Sequence, residues 1–103
     1  MNEAVDPGLA TLDGYVLYRR SATCLWRSFG DEVLISGPDA QFRALAGTGA
    51  VVWRLLQAPM SGQEIVATLA EAYRSAPEVV ARDVMALLGE LARLGYIDEV
   101  SDA

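Results

Sequence analysis

The sequence predicts a small α+β domain in which three antiparallel strands precede three helices. Three observations carry this. Short β-prone runs separated by turn residues fill the stretch up to Leu45. After Leu45 the hydrophobic period changes from two to 3.6. Two Ser-x-x-Glu signatures, Ser61 to Glu64 and Ser75 to Glu78, stand in front of apolar runs.

Residues 1–21 read as a flexible arm, with Pro7, Gly8, Asp13 and Gly14 breaking any regular element. Within it, Tyr15-Val16-Leu17-Tyr18 is β-prone, enough for an extra edge strand or an ordered arm. The domain proper is expected over residues 22–100. Its first strand is Cys24 to Phe29, rich in strand formers. Gly30-Asp31 makes the turn into a second strand, Glu32 to Ser36, and Gly37-Pro38-Asp39 the turn into a third, Gln41 to Leu45. Tight turns between successive strands imply an antiparallel meander.

Helices are expected near residues 48–57, 62–73 and 76–94. Thr48 is the candidate cap of the first, and Ala58-Pro59 ends it. Ser61 and Glu64 form a capping box for the second, and Ser75 with Glu78 the same device for the third, which stops near Gly95. Along the third helix Val80, Val84, Leu87 and Leu91 fall on one apolar stripe. Ala81, Met85, Leu88 and Ala92 fall on a second, rotated by roughly 100°. One stripe is enough to dock a helix on a small core. The second either packs on a neighbouring element or lines a groove for an apolar partner, a role suited to the adaptable Met85. Trp53 and Leu91 are expected in the core.

The composition excludes much chemistry. Eight basic residues, all Arg, stand against 14 acidic ones, for a net charge of −6. Counterion release from nucleic acid needs the opposite balance. With no histidine and one cysteine, a structural zinc site and the Ser-His and Cys-His nucleophiles are out of reach. Asp31-Glu32 lies at a turn, where paired acids are ordinarily solvated, and Gly47-Thr48-Gly49 lacks the spacing and lysine of a phosphate loop. Cys24 reads as a small core residue. No apolar run approaches the ~18 residues needed to span a bilayer, and the first residues lack the pattern of a signal peptide. A cytoplasmic, non-enzymatic protein without cofactor, nucleic acid or membrane is the expectation.

Leu25-Trp26-Arg27, Glu32 to Ile35, Leu45 to Trp53 and the ending Asp83 to Ile97 together resemble the PqqD-like family, over residues 22–98. Ala46, where that family commonly has Asn, and Ala58-Pro59, where Asp-Gly is frequent, are departures. The resemblance implies a winged-helix-like fold that binds the leader of a ribosomally made precursor peptide by strand addition. It also implies a modifying enzyme as partner: a radical enzyme, a protease or a cyclase. Carried onto this sequence, the peptide would pair along Gln41-Phe42-Arg43-Ala44-Leu45, a stretch without proline. Its apolar side chains would meet Ala81, Val84, Met85, Leu88 and Ala92, and Arg43 would take an acidic residue. Two other readings stand beside this one. A winged-helix DNA-binding regulator has the same architecture, though the third helix offers only Arg82 and Arg93 as cations. A dimerisation module would fill the same edge with another protein, a second copy of the chain being one candidate.

Overall fold

Gly30 takes a positive φ of 54° between two runs of β-branched and aromatic residues, and the meander begins there. The computed structural model describes residues 16–100. Strand β2 (Leu25–Phe29) pairs antiparallel with β3 (Glu32–Ser36), which pairs antiparallel with β4 (Phe42–Leu45). Three helices follow: α1 (Thr48–Leu55), α2 (Gly62–Tyr73) and α3 (Pro77–Arg93). The expected fold class and element order are therefore observed.

A second three-stranded sheet goes beyond the expectation. Strand β1 (Leu17–Arg20) lies at its centre, between β5 (Met60–Ser61) and β6 (Ile97–Glu99), both antiparallel to it. Leu17 to Arg20, within the stretch expected to be an arm, thus hydrogen-bond to strands from distant parts of the chain. Arg20 anchors this sheet to the rest. Its guanidinium donates to the Trp53 carbonyl at 2.7 Å and lies 4.6 Å from the centre of the Trp26 ring and 5.1 Å from that of Trp53. A cation there meets both the electron-rich ring faces and the carbonyl end of α1, at Trp53 and Arg54. The remaining part of the expected arm, residues 1–15, lies outside the described residues.

The helix ends were only partly legible. Ser61 and Glu64 do form a reciprocal box, with hydrogen bonds of 3.0 and 2.8 Å. Ser75 does not cap α3: its amide closes α2 by donating to the Ala70 carbonyl, and α3 starts at Pro77 behind Ala76. Likewise Gly47, not Thr48, is the residue before α1, with φ 57° and no side-chain cap. At the far end Leu94 and Gly95 finish α3 in a Schellman turn, Tyr96 N–H donating to Leu91 and Gly95 N–H to Ala92.

The core lies between the inner face of the β2–β3–β4 sheet and the helices. Val33, Ile35, Val52, Trp53, Ile65, Val84 and Leu91 are essentially inaccessible, which places Trp53 and Leu91 where the sequence puts them.

Candidate functional site

Strand β4 closes its sheet and leaves one edge unpaired among the described residues. An exposed edge holds backbone donors and acceptors that another extended chain satisfies. Its register fixes the direction of each side chain. Leu45 stands opposite Val33 and Arg43 opposite Ile35. Val33 and Ile35 are fully buried, so Arg43 and Leu45 share the inner side with them. Phe42 and Ala44 point to the outer side. Gln41 precedes the strand, and its amide donates to Asp39 Oδ1 at 3.0 Å. The same carboxylate accepts from Arg43 at 2.8 Å. Asp39, with the Tyr96 hydroxyl behind it, holds the Arg43 guanidinium above its ordinary pKa, yet Tyr96 makes no well-formed hydrogen bond with it.

Helix α3 forms the facing wall. A Cβ built on Gly49 would lie 3.8 Å from Leu45 and 3.9 Å from Leu87, so these two leucines flank Gly49 at the start of α1. Helical spacing puts Asp83, Leu87, Glu90 and Leu94 on the same side of α3. Asp83 opens into a hollow of about 110 Å³ shared with Thr48, Tyr73, Val79 and Val80. At the other end, two glycines fix how closely β4 approaches the helix. Gly37 packs against the Tyr96 ring, and Gly95, at φ 82°, against Pro38. The groove is thus pinned at both ends: by the β3–β4 turn on Tyr96 and by Leu45 and Leu87 on either side of Gly49.

This geometry redistributes the residues expected on α3. The structure brings Phe42, Arg43, Ala44 and Leu45 to the edge but not the second stripe. Val84 and Leu88 are core residues, 0% and 1% exposed. Met85 packs on α2, with its sulfur 3.0 Å from where a Gly62 Cβ would sit. Ala81 lines, with Met85, Glu78, Arg82 and Ala86, a separate open hollow of about 560 Å³. Ala92 is exposed. The helix is packed on two sides, so the middle of its second apolar stripe, Met85 and Leu88, is consumed by α2. Leu87, assigned to the core stripe, is the residue that reaches the groove. Only the small residues at 37, 49 and 62 carried a signal of these close approaches.

Sequence reasoning also missed the outer face of the sheet. Leu25, Phe29 and Phe42 are 70%, 56% and 66% exposed and, with Leu34, Arg27 and Trp26, border a shallow depression of about 420 Å³. A solvent-facing sheet surface ordinarily carries polar residues at such positions. Cys24 is half-buried, and desolvation pushes its thiol above the ordinary value. Among the described residues no three His, Cys, Asp or Glu side chains gather as metal ligands, and no helix is long and apolar enough to cross a membrane.

The profile of one protein family, coenzyme PQQ synthesis protein D (PqqD), matches residues 32–97, which runs from β3 to the start of β6. The chain belongs to the PqqD family. Two solved structures share the PqqD-family fold seen here. TbiB1, solved in complex with the TbiA(beta) leader peptide, is 24% identical, with a TM-score of 0.74 over 82% of this chain and 99% of that one. The PqqD truncation of Methylobacterium extorquens PqqCD is 17% identical, with a TM-score of 0.69 over 84% of this chain and 93% of that one. That protein is described as a functional, stand-alone recognition element for ribosomally synthesised and post-translationally modified peptides. No curated protein matches this PqqD-family chain.

Proposed function

We propose that this chain binds the leader segment of a ribosomally made precursor peptide along the free edge of β4 and presents it to the enzyme that modifies it. The observation that carries the reading is the edge itself: a proline-free strand, unpaired among the described residues, facing a half-apolar groove. Family membership supports it, as do the leader peptide bound by TbiB1 and the recognition role of the Methylobacterium domain. Main-chain hydrogen bonds supply affinity and register, and Arg43, Leu45, Leu87 and Asp83 supply selectivity. The chain contributes no chemistry of its own. Its partner enzyme, a radical enzyme, protease or cyclase, acts on the peptide while it is held, in the cytoplasm where the precursor is made. Nucleic acid fits poorly, since the chain carries a net charge of −6 and Arg93 on α3 is engaged by Glu90.

The test is to titrate leader peptides from precursor genes adjacent to this gene and map amide exchange on the free and bound protein. Protection is expected in residues 42–45 and along 83–94. Protection centred instead on α2 or the Gly30 turn would falsify strand addition at β4, whatever the affinity.

A further inference from the structure

The two ends of the groove differ in charge. Arg43 and Leu45 stand two residues apart on the inner side of β4. A strand added to the free edge places its own residues opposite them, on the same side, with Cβ separations of about 4.5–5.5 Å. Opposite Leu45, an incoming side chain meets aliphatic surface shared with Leu87 beside Gly49. Opposite Arg43, it meets a guanidinium that is incompletely satisfied. Asp39 takes one terminal nitrogen, while the buried Arg43 Nε and the neighbouring buried Tyr96 hydroxyl have no hydrogen-bond partner among the described residues.

The Arg43–Asp39 pair is 40% and 46% exposed, so it is weakly held and a peptide carboxylate displaces Asp39 at little cost. Glu90, on the groove side of α3, is already paired with Arg93. Beyond Leu45 the sign reverses. Asp83 borders the hollow at the start of α1 and has no ion-pair partner among the described residues, so a second acid is unwelcome at that end. Every strand pair among the described residues is antiparallel. An antiparallel peptide passes Leu45 first and Arg43 second.

We propose that the groove selects peptides in which a large apolar residue is followed, two positions later, by an aspartate or glutamate that pairs with Arg43. This rests on strand addition at β4 and specifies what that site reads.

The test uses a yeast-displayed library of random twelve-residue linear peptides, selected at low salt with the full chain. Wild-type protein, Arg43→Glu and Arg43→Gln are used, each first shown to melt cooperatively. Wild type should enrich the apolar-x-acid pattern, and Arg43→Glu should keep the apolar position while exchanging the acid for Lys or Arg. A synthetic peptide carrying the selected pattern should then lose roughly fivefold or more in affinity for wild type when its acid becomes the amide, a loss Arg43→Gln should not show. Peptides that bind at β4 by amide exchange but carry no acid at that spacing overturn the selectivity and leave strand addition standing. So does an identical selection by Arg43→Glu. Failure of the wild type to enrich any peptide overturns both.

Discussion

Gly37 sets how near the β3–β4 turn comes to the end of α3. A Cβ there would lie 2.7 Å from Tyr96 Cδ1, and the Tyr96 ring is 1% exposed, so it has no room to yield. Gly37→Ala should therefore cost about 1–3 kcal/mol as an overpacking change, measured by urea unfolding. A cost under about half a kcal/mol would show that the ring swings aside. Arg74 presents the opposite case. It closes α2 in the left-handed region, at φ 54°, where a side chain is strained and glycine is not. Arg74→Gly should raise stability by about 0.5–1 kcal/mol, less what the freer unfolded chain takes back. A lower melting temperature would mean that the Arg74 side chain does more than tolerate its place. The sequence marks Gly37 as a turn residue beside Pro38 and cannot mark it as a packing residue, because Tyr96 is distant in the chain. Nor does local pattern distinguish Ser61, which caps α2, from Ser75, which does not. Pro77 decides the second case: its preset φ starts α3 without a side-chain cap.

At the scale of elements, α3 is the member whose faces matter most. Leu91→Ala should cost about 2–5 kcal/mol because the side chain is enclosed on all sides. Two aspartates separate the roles of the remaining faces. Met85→Asp places a charge against α2 and should lower the melting temperature sharply. Leu87→Asp, at the half-buried groove wall, should leave a folded protein whose leader-peptide affinity falls by well over tenfold. If Met85→Asp instead folds normally and loses only binding, the groove lies on the other side of α3. The strands and helices were legible because period and turn chemistry are local. The apportioning of helix faces was not, since a 17-residue helix touched by α2, the sheet and α1 shows apolar residues on more than one side. The second sheet was hidden for another reason. Its strands are two to four residues long and come from three separated parts of the chain, so none shows an alternation long enough to read.

Taken whole, the molecule lacks the one side chain that ordinarily titrates near neutrality. Asp39 sits below the usual carboxylate range, chiefly through the Gln41 amide and then through Arg43. A depressed acid stabilises the fold above its unfolded pKa and loses that contribution as pH falls through the folded one. Cys24 is displaced upward by burial, so its contribution is present in the neutral thiol and lost only as pH rises through the folded value. The melting temperature should accordingly be flat between about pH 5 and 8, with any fall confined to the flanks. A step near pH 6.5 would contradict this. The joint where Arg20 lies against Trp26 and Trp53 has an optical consequence. These are the only two tryptophans, and their ring centres are 6.0 Å apart in an edge-on arrangement. Indole emission therefore reports on a single place, the seam between the two sheets and α1. Far-ultraviolet dichroism is dominated by α2 and α3, which carry most of the helical residues. One chain thus supplies two independent clocks for its own unfolding, and their coincidence or separation shows whether seam and helices let go together.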